Sequence, residues 1–519
     1  SYTIEAWDDH INDDDNISPL GLPSESDWIL YSSSFDKSKM NNTFIYELAN
    51  QSGQYAVRTR HVAYFLNTGG GDVSMSDYKG VFVLMEKIKR GDDRVDVEEL
   101  DPTDNTEPDI SGGYMFKIDR ADPGDGGFSA GNTGMKWVYP KEAIIETPAY
   151  DPQEQWIKNY INEYYAALTG PNFTNPSTGL HYSEYIDVAE SIDFHILNEF
   201  GKNPDEFRLS TYMYKPREGK FSFGPIWDFD RGLGFENRSA NPVGWWQDFR
   251  WGQWWSRMFN DSEFSQAWID RWFELRQDVF SDANLQSVID TQADIIDYTA
   301  QNRDGNWSTH RNNLKNWVAS RATWMDSQFR PLTQFSKGDG QVVQGSTVTL
   351  SAVGGGAIYY TTDGSDPRAV GGGIHGQLYT GAPITINSNT KITARVYDAS
   401  ATPAQYCFSQ VQWGAPTELV VVTDTPADAG NLAITEINYN PHDPTPGELA
   451  VNAAFTSEDF EFIEVMNTSD STIALGGVKV VDGTEFEFDA DTTLLAGQPA
   501  VVVAEQAAFT PRSGAGPTG

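Results

Sequence analysis

The hydrophobic pattern of this chain changes kind twice, near residue 333 and again near residue 415, and no single fold accommodates all three patterns. Before the first change, short alternating segments (YAVRTRHVAYFLN, GVFVLMEKIKR, GGYMFKIDR) and one helical-looking piece, KSKMNNTFIYELANQ, give way after residue 150 to long stretches with apolar residues three and four apart. DPQEQWIKNYINEYYAALTG, SEYIDVAESIDFHILNEF and LKNWVASRATWMDSQF are examples. After residue 333 come only short strands rich in Thr, Val, Gly and Ser, such as STVTLSAV, AIYYTTDG and KITARVYD. The linker GAPTELVVVTDTPADAG leads to a third block of short strands, LAITEINYNP, EDFEFIEVMNTS and PAVVVAE. The chain therefore reads as multidomain: an α+β region over 1–333, first mostly β and then mostly helical, a β-sandwich over 334–413, a linker over 414–429, and a second β-sandwich over 430–519. A length of 519 residues agrees with about three cores.

Charge removes several partner classes. The chain carries 74 Asp and Glu against 36 Lys and Arg, a net charge of −38, which repels nucleic acid and anionic membranes. Asp-rich loops also suit calcium, so a saline or extracellular setting is expected, with calcium as a structural ion. Cys407 is the sole cysteine, which excludes an intrachain disulfide and a Cys-based zinc cluster. No run of about 18 apolar residues is present, so no membrane span is expected. The opening, SYTIEAWDD, reads like the middle of a strand, and the chain is expected to be a piece of a longer polypeptide.

One stretch invites chemistry. In GPIWDFDRGLG (224–234) an apolar segment runs into Asp228 and Asp230 and then spends two glycines within four residues. Upstream, STYMYKPREGKFSFGPIWDFD reads as a hairpin turning at PREG, and the loop before it, NPDEFRLS, carries Asp205, 23 residues before Asp228. A loop acid, a hairpin and a second acid place two carboxylates at one mouth of a cleft between unlike lobes, a geometry that serves phosphoryl transfer. The same spacing also fits a turn-capping Asp205 and a strand-ending Asp228, and spacing alone leaves both open. The aromatic segment WWQDFRWGQWW (245–255) reads as lobe packing with glycan stacking as the rival. His195 reads as a packed histidine, and His310 has no second ligand at metal spacing. WDDHINDDDN and DPGDGGFSAGN read as solvated loops, the first lacking EF-hand spacing.

Residues 1–333 resemble the CotH kinase family, the spore-coat-protein-H type of atypical protein kinase. The resemblance runs through ESDWILYSSSFDKSKMNNTFIYELA, YAVRTRHVAYFLN, YKGVFVLMEKIKRGDDRVDV, GGYMFKIDR, NPDEFRLSTYMYK and IWDFDRGLG, in family order. It implies a bilobal, protein-kinase-like α+β domain that uses ATP and Mg²⁺ to phosphorylate Ser or Thr on a protein. By the same resemblance Asp205 is the catalytic-loop aspartate, acting as base, and Asp228 the metal ligand, with Asp230 assisting. The backbone around Glu86 and Lys87 would meet adenine, and Lys117 is a phosphate-side cation. Ser210 stands five residues after Asp205, where the family carries a metal-binding Asn, and Arg208 sits close by. Together with the missing start, this departure supports an alternative, an inactive structural or adhesive protein that binds glycans or surface proteins.

AIYYTTDGSDPR, LYTGAPITI and TKITARVYD resemble the C-terminal domain of chitobiase and β-hexosaminidase-type enzymes, which implies an Ig-like sandwich without catalytic residues. One of Tyr359 and Tyr360 is expected in its core. LAITEINYNP and DFEFIEVMNTSDSTIALGGVKVVDG resemble the lamin-tail domain, a second Ig-like sandwich, in which Glu436 and Glu464 serve folding or calcium. Both appendages imply a modular bacterial protein, secreted or at the cell surface, with a protein phosphoacceptor and a glycan or surface partner.

Overall fold

β1 (Tyr2–Glu5), β2 (Asp27–Tyr31), β3 (Thr59–Phe65) and β4 (Tyr78–Glu86) pair antiparallel in the order β1-β2-β4-β3. In this computed structural model all residues are described except 9–12, 34–35, 122–125, 206, 247–253, 301–305, 401–410, 482–484 and 514–519, together with the side chains of 297–300 and 510–513. Along β4, Val81, Val83 and Met85 are buried while the residues between them are partly open, the two-residue period of a half-covered sheet. Helix α1 (Asn41–Gln51) connects β2 to β3 and buries Phe44, Ile45 and Leu48 completely. It starts four residues later than the pattern from Lys37 predicts. The Asp36 carboxylate takes the N–H of Ser38 and of Asn41, both at 2.8 Å, which turns the chain first and satisfies the helix's leading amide.

The second sheet runs β6-β7-β5-β8-β9, with every pairing antiparallel. It uses β5 (Tyr114–Ile118), β6 (Phe128–Ala130), β7 (Thr133–Tyr139), β8 (Thr211–Lys215) and β9 (Ser222–Phe223). The expected hairpin is present, Met213 opposite Phe223 and Tyr214 opposite Ser222, although its second strand holds only two residues. Helices α2 (Glu142–Ile145), α3 (Asp151–Thr169), α4 (Val188–Gly201), α5 (Trp255–Met258), α6 (Ser262–Gln277), α7 (Asp282–Ala300) and α8 (Trp307–Asp326) supply the rest. Helix α4 is buried on every side from Ser191 to Gly201, which marks it as central. Asp187 caps its first turn by accepting the Glu190 N–H at 2.8 Å, and Lys202 ends it at φ +44°. Near that end Glu199 meets Arg321 of α8 at 2.7 Å, both side chains fully buried. Arg321 also donates to the Pro242 and Gly244 carbonyls.

Residues 1–329 form one compact unit, and the other begins at Arg330 and holds both C-terminal β regions. In that second unit a five-stranded sheet joins Gly340–Gln341, Thr417–Val422, Thr390–Tyr397, Ala357–Thr361 and Gln377–Leu378, in that order. Its core is Val348, Leu350, Ile358, Ile392, Val396 and Leu419, and Tyr360 packs against it. Tyr359 instead contacts Tyr397 and Trp413. STVTLSAV is two strands, not one. Ser346–Val348 pairs with Ile384–Ile386, and Leu350–Ala352 with Thr333–Phe335, because the chain changes sheet at Thr349. In the last region Leu432–Asn438, Phe462–Asn467 and Pro499–Val503 share a sheet, with Glu436 opposite Glu464, over a core of Val465, Ile473, Leu475 and Val502. Lys391 ties the two β regions together, 3.1 Å from Glu418 and 2.9 Å from Glu487.

Candidate functional site

Just past the left-handed end of α4, Asn203 is buried and uses both ends of its amide. Its Oδ1 accepts the Asp205 N–H at 3.2 Å, and its Nδ2 donates to the Trp227 carbonyl at 3.4 Å. A single side chain thus ties the loop of Asp205 to the residue before Asp228. The hairpin does the remaining work of returning the chain, and Asp205, Asp228 and Asp230 come within electrostatic reach of one another. Arg208 donates to Asp205 Oδ1 at 3.2 Å and to the Pro204 carbonyl at 2.8 Å. Around these acids Phe207, Ser210, Asp228 and Leu233 hold φ between +51° and +64°. Non-glycine residues keep that geometry only where their surroundings impose it, and such residues concentrate at functional sites.

Helix α1 imposes much of it. Tyr46 Oη accepts the Asp228 N–H at 3.2 Å and Asn42 Oδ1 accepts the Phe229 N–H at 2.6 Å, while Asn41 Nδ2 donates to the Gly232 carbonyl at 3.0 Å. The Tyr46 ring stacks on Trp227, centroids 6.1 Å apart. Asp36 and Asn41 also line a cavity of about 530 Å³ that reaches Leu233, His310 and Trp317. Sequence reasoning passed over Asn41, Asn42, Tyr46, Asp36 and Tyr31. The only local signal was two asparagines opening a helix whose neighbours are apolar.

The charges are unbalanced. Burial, then the nearby Asp230 and Asp205 carboxylates, push the Asp228 carboxyl up to about 7, and it shares a hydrogen bond with Asp230. Asp230 is raised too, first by burial and then by the Asp205 and Asp36 carboxylates, against the lowering pull of Arg231 and of its hydrogen bond with Asp228. Asp36 is raised by its complete burial despite the bonds it accepts. Burial likewise holds the hydroxyls of Tyr31, Tyr46 and Tyr212 neutral, and each of them feels Asp228. Two adjoining carboxyls whose joint ionisation is disfavoured, with a third acid beside them, fit a divalent cation, which would relieve the repulsion that protonation of Asp228 relieves. Among the described residues no three His, Cys, Asp or Glu side chains gather closely enough to hold a metal alone. Mg²⁺ needs only one or two carboxylates when phosphates and waters complete its octahedron.

The remaining expected site residues differ in their surroundings. Lys117 Nζ lies 2.8 Å from Asp119 and 5.5 Å above the Tyr212 ring, whose edge meets Trp227, so it flanks the acids. Lys87 is partly exposed and bonds Asp27 at 3.2 Å. Glu86 is fully buried. Its carboxylate takes Arg58 at 2.8 Å, Arg94 at 2.7 Å and Tyr55 at 3.0 Å, and its N–H donates to the Arg58 carbonyl at 3.2 Å, leaving that donor unavailable to a purine. His195 is packed, accepting from Trp268 at Nδ1. Trp246, Trp254 and Trp255 are buried core residues, and Trp251 lies outside the described residues, as do parts of the two acidic loops at 7–16 and 122–132.

A sheet braced by one helix, a helical region, and acids at the two ends of a hairpin fit the kinase-like domain that the sequence resemblance implies, here followed by all-β regions. The comparisons with known families agree. Residues 1–325 match the family of the CotH kinase protein, 337–406 the chitobiase/beta-hexosaminidase C-terminal domain, and 425–517 the lamin tail domain. The first match covers more than half of the chain, which therefore belongs to the CotH kinase family. Among curated proteins none matches it. No helix among the described residues is long and apolar enough to cross a membrane.

Proposed function

We propose that this chain is an ATP- and Mg²⁺-dependent protein Ser/Thr kinase that acts on a secreted or surface protein. The observation that carries the reading is the Asp228–Asp230 pair, held in a strained backbone turn beside Asp205 with more negative charge than its neighbours offset. Asp228 and Asp230 are the residues that would hold Mg²⁺, which when bound offsets the charge of the nucleotide phosphates. Asp205 accepts the proton of the acceptor hydroxyl as that oxygen attacks the terminal phosphorus and the bond to the leaving diphosphate breaks. Arg208 lies 3.2 Å from Asp205 Oδ1 and orients that carboxylate. Lys117, partly exposed and paired with Asp119, would face the phosphates, and the backbone at Lys87 would meet adenine.

One observation favours the alternative, a binding module without turnover. Arg208 occupies the Asp205 carboxylate, and Ser210 offers only a neutral hydroxyl where an amide would assist a metal. Transfer of labelled γ-phosphate from ATP to the chain or to a generic protein acceptor separates the two. Mg²⁺-dependent labelling that disappears in Asp205→Asn supports the kinase. Retention on surface glycan or protein, unchanged by Asp205→Asn and without any labelling, supports the module.

A further inference from the structure

Three side chains from the first two turns of α1 reach the backbone of the segment that carries both metal acids. Tyr46 and Asn42 accept the consecutive N–H groups of Asp228 and Phe229, and Asn41 donates to the carbonyl of Gly232. All three are buried, at 1%, 6% and 2% exposure, so water cannot replace these bonds. The contacts enclose Asp228 and Asp230 from both sides in sequence. They also hold Asp228 at φ +64°, away from which an aspartate relaxes when nothing restrains it, carrying its carboxylate along. Asp36 takes the Asn41 N–H at 2.8 Å, so the first residue of the clamp is itself pinned.

We infer that Asn41, Asn42 and Tyr46 are positioning residues that set the affinity of the Asp228–Asp230 pair for its divalent cation, so that any displacement of α1 is transmitted to the metal acids. The inference rests on the metal-site reading above. A merely structural role for the same side chains would lower the stability of the fold and leave ion affinity in the folded protein unchanged.

Two variants isolate the effect in the full chain. Tyr46→Phe keeps the ring on Trp227 and removes only the acceptor, and Asn42→Ala removes the acceptor for Phe229. Tyr214→Phe, which loses bonds of 2.7 and 2.9 Å to Glu190, is the control for a purely structural loss. Mn²⁺ alone, titrated by electron paramagnetic resonance, is the probe, with thermal midpoints measured in chelator. Mn²⁺ affinity is expected to fall about tenfold in Tyr46→Phe and in Asn42→Ala, the equivalent of one lost buried hydrogen bond each, and to stay at the wild-type value in Tyr214→Phe. Wild-type affinity in both clamp variants, with lowered midpoints, would overturn the inference. If the wild-type chain binds Mn²⁺ neither alone nor with a non-hydrolysable ATP analogue, the metal-site reading falls, and amide exchange over 228–232 then decides the clamp separately. Faster exchange confined to that segment in both variants upholds the clamp as a device that fixes the turn, and unchanged exchange overturns it.

Discussion

Replacing Asp228 with asparagine is expected to stabilise the metal-free protein. In the fold this carboxyl titrates at about 7 against an ordinary 3.8, and at ~1.4 kcal/mol for each pH unit the difference corresponds to roughly 4 kcal/mol. Because the folded value is raised, the protonated form supports the fold at low pH, and that support is lost as pH rises from about 4 through about 7. Asparagine keeps the shape, donates toward Asp230 as the protonated acid does, and tolerates the left-handed geometry at φ +64°. Asp228 is not wholly sealed from water, so the expected gain at pH 8 is about half that ceiling, ~2 kcal/mol. Fifteen of the 16 tryptophans precede residue 330, so urea unfolding followed by tryptophan fluorescence in excess chelator reports on the N-terminal unit. The gain should shrink to nothing near pH 4, and saturating Mg²⁺ should raise the wild type alone. An Asp228→Asn protein that is less stable than wild type at pH 8, or a gain that does not vary with pH, would refute the charge-repulsion account of the site.

Arg321→Met leaves Glu199 buried without its partner, and the N-terminal unit should lose about 3–5 kcal/mol in the same urea assay. A β-carbon on Gly201 would lie 2.8 Å from the Phe229 ring. Gly201→Ala should therefore cost about 1–3 kcal/mol despite its better helix propensity, and it should weaken any Mn²⁺ binding, because Phe229 lies between Asp228 and Asp230. His195 is wholly buried and its burial holds the ring well below the usual histidine range. Its imidazole should remain neutral at pH 5.5 by NMR, and since the unfolded ring protonates near 6.5, this residue alone costs ~1.4 kcal/mol of stability for each pH unit below that.

Local periodicity made α3, α4 and α8 legible: α3 and α8 bury a face whose apolar residues recur at helical spacing, and α4 keeps that spacing although it is buried on every side. The hairpin and the nearness of Asp205 to Asp228 were legible for a related reason, because a two-strand return is a local event. The clamp was not. Asn42 acts on Phe229 across 187 residues, and nothing within α1 distinguishes a buried asparagine with a distant partner from an exposed one. The partners of the Glu86 side chain were hidden in the same way, since Arg58 and Arg94, 28 and 8 residues away, hold its carboxylate as a buried ionic centre. The break at Thr349 escaped because alternation continues through a change of sheet, leaving the pattern intact while the pairing partner changes.

Calorimetric titration of ATP into the chain, with and without Mg²⁺ and beside Asp228→Asn, tests the central claim most directly. The account predicts saturable binding that requires Mg²⁺ and is lost in the variant. Heat that is the same without Mg²⁺, or undiminished in Asp228→Asn, would contradict the assignment of these acids to a metal–nucleotide site.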